Sequence, residues 1–462
     1  MKTIKIIKKQ TLILLAAGSI VTGSATAKVS PDEAAQLGKS LTPIGAIKAG
    51  NKEGTIPAWN PVFNVPGSYK ENSYVFPDPF PKDRPLFTIT KDNLDQYWDK
   101  LSPGQIKMFK TYPDTFKMPI YVSRRNGSYS EFVEENTILN ASRASVDKTG
   151  NGVVNAYGGA PFPIPKRGEE IIWNLNQAGV PFFLSEERDA VLVYGDGSRL
   201  TGKRVVTTLS PYFDEDSTIE QFNKEKLAKI LYISVARAPA RAKGQGVLVH
   251  EPLNFATTKR AAWTYTPGVR KVRRAPNIKF DVETDLGNFM PSDSTGIFTG
   301  STEKYNWKLL GRKELYIPYN SYRFEDPSVD FDDLLQNKHA NSDYMRYELH
   351  RVWAVEATLK KGERHVYGKR TIFVDEDSWT PSVADYYDSE NKLLRVSLLN
   401  SIYRYDLPGI MTRSSMYHDF ERGAYLALDL MNRTGVDNPP INTAIREMNY
   451  FKPRTLRKLG IR

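Results

Sequence analysis

The chain has 462 residues, 40% of them hydrophobic and 25% charged, which is enough apolar material for a large core and too much for a disordered chain. The absence of cysteine excludes disulfides, thiolate metal sites, a cysteine nucleophile and a lipidated cysteine. The formal charge of +11 is in part the property of one short segment at the start.

Residues 1–27 carry Lys2, Lys5, Lys8 and Lys9 and no acid, then the apolar run Leu12-Ile13-Leu14-Leu15-Ala16-Ala17, then small residues ending Ala25-Thr26-Ala27. A basic start, a short apolar run and an Ala-x-Ala end form a secretory signal, cleaved after Ala27, and the run is too short to span a bilayer. Without those four lysines, 60 basic residues face 53 acidic ones, a charge of +7. That is mildly basic, not the balance of a DNA-binding protein, and no nucleic acid is expected as a partner. A large exported chain without disulfides fits a bacterial periplasm.

Ser30-Pro31-Asp32-Glu33 has the form of a capped helix start, and a short helix to Lys39 is expected. Residues 41–85 hold Pro57, Pro61, Pro66, Pro77, Pro79, Pro81 and Pro85, a density that no regular element survives. Ile56, Trp59, Phe63, Val65, Tyr69, Tyr74, Phe76 and Phe80 are too apolar for a solvated linker, so this extended arm should lie against a larger body. Helical periodicity follows at 93–101, 102–112 and 131–144, then a Gly-rich loop at 150–165 and a helix near 169–177.

The texture then changes to strands. Segments 190–194 and 200–209 flank Gly195-Asp196-Gly197-Ser198, a hairpin with an Asp-Gly turn. One long helix is expected at 218–235, then strands at 247–255, 261–266, 312–317, 351–359, 367–375, 382–387 and 393–401. Pro252 makes the first of these an edge strand or ends it early. After Met416, the residues Phe420, Ala424, Leu426, Ala427 and Leu430 fall on helical spacing. Within the strands, Trp353, Val355, Ala357 and Leu359 alternate with Glu356 and Thr358, while Leu394, Val396 and Leu398 alternate with Arg395 and Ser397. Such alternation predicts a sheet with one dry and one wet face. The class is α+β: a large antiparallel sheet covered by helices, with a Pro-rich N-terminal arm. Residues 28–180 form the arm and helical region, and 181–462 the sheet with its helices.

Several long motifs resemble a known family. The first runs Leu41-Thr42-Pro43-Ile44-Gly45-Ala46, Lys48-Ala49-Gly50-Asn51 and Gly54-Thr55-Ile56-Pro57-Ala58-Trp59. The second is Gly159-Ala160-Pro161-Phe162-Pro163-Ile164-Pro165, and the third Arg351-Val352-Trp353-Ala354-Val355-Glu356-Ala357-Thr358 with Tyr367-Gly368-Lys369-Arg370 and Asp375-Glu376-Asp377-Ser378-Trp379. Together they resemble the domain of unknown function 1329 family, exported proteins of Gram-negative bacteria. More distantly, Trp263-Thr264-Tyr265-Thr266-Pro267 with Arg270-Lys271-Val272-Arg273-Arg274 is similar to a segment of the Lol-type lipoprotein-sorting carriers. That resemblance implies a curved half-barrel closed by helices around an acyl chain. It further implies a periplasmic shuttle for lipid or another hydrophobic molecule, and the resemblance to the exported family implies a resistance-nodulation-division type transporter and an outer-membrane β-barrel as partners.

On spacing alone Trp263, Tyr265, Trp353, Val355, Phe373, Trp379 and Tyr387 read as core; the resemblance makes them candidate lining of a cargo cavity. The run Lys259, Arg260, Arg270, Lys271, Arg273, Arg274, Lys279 meets no acid until Asp281. As a bare charge run it is a solvated hairpin; for a carrier, Arg270, Lys271, Arg273 and Arg274 are candidates to meet an anionic group or a docking partner. There is no Gly-x-Ser-x-Gly elbow, no Gly-x-Gly-x-x-Gly and no phosphate loop, and no catalytic residue or cofactor is expected. His250, His339, His350, His365 and His418 show no metal spacing, and Asp375-Glu376-Asp377 reads as a carboxylate-rich turn, so no metal is expected. The leading function is a non-catalytic periplasmic carrier of hydrophobic cargo; the alternative, raised by 25 Tyr and 7 Trp, is a glycan- or polymer-binding envelope protein with an aromatic groove. N-terminal sequencing of the exported protein is expected to begin at Lys28, and an intact Met1 in the periplasmic fraction would refute cleavage.

Overall fold

β-branched and aromatic residues crowd the chain after residue 183, and these residue types fit a pleated, half-buried surface. In the computed structural model, which describes residues 29–71, 73–175, 177, 180–275, 280–284, 286–433, 441–443 and 445–461, they pair into one 15-stranded sheet. The signal segment 1–27 and Lys279 lie outside the described residues.

The first part of the chain runs α1 (Pro31–Ala34), β1 (Phe87–Ile89), α2 (Pro103–Thr111), β2 (Met118–Tyr121), α3 (Glu131–Arg143), the two-residue strands β3 (Ser145–Val146) and β4 (Val153–Val154), and α4 (Gly168–Leu175). A first meander follows: β5 (Phe183–Val193), β6 (Arg199–Leu209), α5 (Ile219–Lys224), β7 (Ile230–Ala238), β8 (Gly246–Glu251), β9 (Ala261–Thr266) and β10 (Lys271–Arg274). A second holds β11 (Tyr305–Pro318), α6 (Phe331–Leu334), β12 (Tyr347–Leu359), β13 (Lys369–Asp375), β14 (Pro381–Tyr387), β15 (Leu393–Arg404), β16 (Gly409–Asp419) and β17 (Ala424–Leu430), and α7 (Pro453–Ile461) ends the chain. The strand order is β1-β2-β12-β13-β14-β15-β16-β17-β5-β6-β7-β8-β9-β10, with β11 also on β12, so the sheet is not closed. All these pairs are antiparallel except β2 with β12.

Four expectations are corrected. Residues 218–235 are not one helix: α5 stops at Lys224 and β7 begins at Ile230. Leu231, Ile233 and Val235 lie on one side of β7 in a single apolar cluster, a period of two that the preceding helical turn masks. The segment after Met416 is likewise the β16–β17 hairpin, in which Tyr425 and Ala427 enter one cluster and Ala424 and Leu426 another. The sheet expected to be dry on one face and wet on the other is dry on both from β12 to β17, whereas β11 is exposed at Asn306, Lys308, Leu310 and Arg312. Val352 and Ala354 pack on one side with Ile106, Met108 and Phe109 of α2. Trp353, Val355 and Ala357 pack on the other with Val133 of α3 and Ile171, Ile172 and Trp173 of α4. The helix after Ser30 is also shorter than expected, four residues, although its capping box forms. No helix among the described residues is long and apolar enough to cross a membrane.

The arm expected at 41–85 carries no helix or strand. The Asp-Gly hairpin forms with Gly197 at φ 87, and β8 ends before Pro252 as an interior strand. α7 covers the first meander: Leu456 and Phe451 join Phe183, Leu209, Leu231, Leu248 and Tyr265. A Cβ on Gly460 would stand 2.2 Å from the Tyr265 ring, so only glycine lets the helix sit this close.

The second meander is tied to α2 by a buried carboxyl. Ser102 Oγ and the Gly104 amide both donate to Asp385 Oδ1, at 2.9 and 3.0 Å, while Ser102 and Gln105 close a capping box. Burial pushes the Asp385 carboxyl up to about 7, against the hydrogen bonds from Ser102 and Gly104. The folded protein therefore holds a proton here that the unfolded chain releases near its ordinary carboxylate range, and the associated stability is lost as pH rises through about 7. Asp385→Asn, neutral throughout, is expected to melt like the wild type at pH 5 and several degrees above it at pH 8. A melting difference that stays constant across that range would refute the assignment.

Candidate functional site

The arm has few backbone partners of its own, and its orphan carbonyls need donors. Arg125, just past β2, supplies them: Nη1 donates to Ala49 O at 3.2 Å and Pro57 O at 3.0 Å, and Nη2 to Ile47 O at 2.6 Å. The same guanidinium takes Asp377 in a fork, Nε to Oδ2 and Nη2 to Oδ1, both 2.8 Å, with both side chains buried. Asp377 stands in the turn Asp375-Glu376-Asp377-Ser378-Trp379-Thr380 between β13 and β14. Trp379 there adopts φ 58, a conformation rare for a bulky residue. Its amide donates to Asp375 O and its indole to Ile44 O, each at 2.9 Å, which holds the turn against the arm.

Behind the pair lies His350 of β12, stacked on Tyr319 with ring centroids 4.0 Å apart. Its Nδ1 faces Asp375 Oδ1 at 3.5 Å and Asp377 Oδ2 at 3.8 Å, and its Nε2 faces Glu348 Oε2 at 3.3 Å. Glu348 also accepts from Arg346 Nε at 2.7 Å, Asn320 Nδ2 at 2.9 Å and the Arg124 amide at 2.7 Å. Asp83 of the arm bridges Arg124 at 2.6 Å and Arg346 at 2.9 Å. Burial disfavours a charged His350, but Asp375, Asp377 and Glu348 outweigh it and hold the imidazole well above its ordinary pKa. Against its own burial, Glu348 is drawn down to about 2 by Arg346 and His350. Asp377 is likewise buried, yet Arg125 and His350 hold it well below the usual carboxylate range.

His350, Asp375 and Asp377 each offer a ligand atom, all within 4.8 Å of one another, a set of the kind that binds a metal. Here Arg125 takes both oxygens of Asp377, and Asp83, Glu348, Asp375 and Asp377 are already matched by Arg124, Arg125, Arg346 and the His350 imidazolium. A dication would leave the set net positive, so these residues fit the proton on His350 better than a metal.

Two grooves open beside this network, sharing Phe80, Pro81 and Asp83. One, about 730 Å³, has apolar walls of Pro57, Val62, Phe63, Pro79 and Phe80, with Lys82, Arg124 and Asn126 beside them. The other, about 590 Å³, is lined by Arg84, Lys117, Arg323 and Arg346 along with Asp78, Tyr121 and Asn320. Phe80 lies under two guanidinium groups, Arg124 at 4.6 Å and Arg346 at 5.4 Å. The buried amide oxygens of Asn126 and Asn320 have no hydrogen-bond partner, which leaves each able to accept from a ligand.

None of the seven residues expected to line a cargo cavity borders these grooves. Trp353, Val355 and Trp379 share one packed cluster, the two indoles parallel at 6.2 Å. Phe373 lies in the cluster on the other face, and Tyr265 and Trp263 pack under α7. Tyr387 ends β14, with Lys369 Nζ 4.1 Å over its ring. Arg270, Lys271, Arg273 and Arg274 are exposed at the β9–β10 hairpin. The grooves and the network were missed by sequence reasoning; the Arg124-Arg125 pair and the Asp375–Asp377 run were their traces, with nothing to join them.

Removing one member of a buried pair leaves the other uncompensated, at about 3–5 kcal/mol. Arg125→Met is expected to lose that much stability in denaturant titration and to make 41–85 cleavable by protease while the sheet persists. An arm as resistant as in the wild type would contradict the role given to Arg125.

Residues 88–457 match the family described as "Protein of unknown function (DUF1329)". An uncharacterized protein of Pseudomonas aeruginosa is 38% identical over 480 residues, covering 100% of both chains. Among solved structures, a DUF1329 family protein from Desulfovibrio piger is similar at 16% identity, covering 63% of this chain and 97% of its own, with a TM-score of 0.42. A putative outer membrane lipoprotein-sorting protein domain from Vibrio parahaemolyticus is similar at 15% identity over 60% of this chain and 91% of its own, TM-score 0.39. A LolA superfamily protein from Nitrosomonas europaea is similar at 14% over 62% of this chain and 98% of its own, TM-score 0.37. With the family matched over most of its length and a full-length relative at this identity, the chain belongs to the DUF1329 family.

Proposed function

We propose that the protein is a periplasmic carrier or accessory protein that holds an amphipathic, anionic molecule in the grooves under its arm. The observation that carries this reading is the junction at Phe80, where an apolar-walled groove meets a groove bordered by four basic side chains. Lys117 and Arg346 are paired with Asp343 and Asp83, and Arg84 and Arg323 pair with no carboxylate among the described residues. An acyl or other apolar body placed against Val62, Phe63 and Phe80 gains roughly 0.8 kcal/mol per buried methylene. Its anionic end then falls beside Arg84 and Arg323, the two without a carboxylate, and charge-assisted hydrogen bonds are the strong ones. No covalent step is part of this function. The partners proposed with it, a resistance-nodulation-division type transporter and an outer-membrane β-barrel, are those that the family resemblance implies.

Lipid extraction of protein purified without detergent, followed by mass spectrometry, is expected to yield an anionic amphiphile. Val62 is 68% exposed, so Val62→Asp leaves folding intact while placing a charge in the apolar wall. It is expected to weaken binding of a fluorescent fatty acid about tenfold, a loss of about 1.4 kcal/mol. Absence of both bound lipid and fatty-acid binding in the wild type would refute the carrier. Oligosaccharide binding that Val62→Asp abolishes would establish the glycan reading instead.

A further inference from the structure

The far end of the strand order carries a second surface. No acid occurs between Glu251 and Asp281, or after Glu447. The β9–β10 hairpin is built from the first of these stretches and α7 from the second, and the fold brings them together, with Tyr265, Trp263, Val272, Leu456 and Leu459 in one apolar cluster. Leu456, Leu459 and Gly460 form the inner stripe of α7. Arg454, Arg457, Lys458 and Ile461, spaced i, i+3, i+4 and i+7, form its outer stripe, all four exposed.

On β10, an edge strand, Val272 and Arg274 turn to the side that α7 covers and Lys271 and Arg273 to the other. All three bases are exposed along the edge, and Arg270 precedes them in a left-handed turn at φ 50. Among the described residues Glu251 is engaged by Arg260 at 2.7 Å, and no carboxylate pairs with any of these seven bases. Two exposed aliphatic side chains sit in the same surface, Val269 at 50% and Ile461 at 61%.

We infer that this edge of the sheet, the β9–β10 hairpin with the outer stripe of α7 beside it, docks on a lipid surface rich in anionic headgroups. Unpaired bases on a firmly seated scaffold supply the attraction. An acidic protein would need the bases alone, whereas Val269 and Ile461 fit the boundary where headgroups meet acyl chains. α7 keeps its place while docked, because its apolar stripe is already buried in the sheet; only the outer stripe meets lipid. The surface shares no residue with the arm grooves, so it stands or falls independently of what they hold.

The test is co-sedimentation of the protein with vesicles of phosphatidylcholine alone and of phosphatidylcholine mixed equally with phosphatidylglycerol, at low and moderate salt. Wild-type protein is expected to bind the anionic vesicles selectively and to lose most of that binding as salt shortens the screening length. Each base near an anionic bilayer is worth about a fivefold gain, so replacing Arg270, Lys271, Arg273 and Arg274 by Ser lowers binding more than about a hundredfold. A separate variant with Arg454, Arg457 and Lys458 changed to Ser is expected to lose binding as well. In both variants melting temperature and fatty-acid binding should match the wild type, since all seven side chains are exposed. Equal binding to both vesicle types, or anionic binding retained in both variants, overturns the proposal. Capture by soluble polyglutamate without vesicle binding also overturns it, in favour of an acidic protein partner.

Discussion

The buried fork between Arg125 and Asp377 is the contact on which the arm depends. These residues lie 252 positions apart, and one guanidinium serves both a carboxylate of the sheet and four carbonyls of an arm that has no ladder of its own. Arginine alone has enough donors, in a rigid enough fork, for both tasks. Because the charge is buried, its partner must be present and the network behind it must balance. His350, Glu348 and Arg346 provide that balance and pass it on to Asp83, which returns to the arm. The arm is thus pinned at Arg125 and Asp83 as well as by the Trp379 indole on Ile44, and the grooves open beside these contacts.

Strand positions were legible in the sequence where alternation was clean: residues 261–266 are β9 as expected, and the Asp-Gly hairpin forms with its register intact. The errors came where apolar residues filled both parities. In β17 every residue from Ala424 to Ala427 is buried, so no period distinguishes strand from helix. In β7 a genuine helical turn runs into the strand and lends it a false period. The second meander read as half wet because Glu356, Thr358 and Arg395 mark one parity as polar, yet Arg395 is buried against Asp419 and Tyr367. Pairing partners of that kind are invisible in a linear reading. The site was less legible still, since Asp83, Arg125, Glu348, His350 and Asp377 come from separate segments and none carries a local motif. The basic hairpin did show itself as a charge run, but nothing in the sequence announced that α7 would join it.

Covering both faces of the second meander changes where a ligand can be held. Trp353, Val355 and Phe373 could line a cavity only if α2, α3 or α4 withdrew, and those helices bury the largest clusters in the protein. The arm is held by polar contacts and by a handful of buried side chains, Ile44, Ile56 and Phe76 among them, on a backbone with no helix or strand of its own. Segments with so few backbone hydrogen bonds open at lower free energy than core strands. The proposed site beneath it would admit and release a molecule without disturbing the core, and the basic surface at the other end of the strand order leaves that site unobstructed.

The pairing of β17 with β5 has a consequence for how the chain assembles. Tyr425 meets Val193 across it, so the first meander is made early in the chain but its β5 edge has no partner until nearly everything else has followed. An open strand edge is a template for pairing with another chain, and contacts this distant in sequence are slow to form. Until β17 arrives, the nascent protein exposes a ready aggregation seam along β5, and a chaperone that shields that strand would govern the yield of native protein more than any local element does.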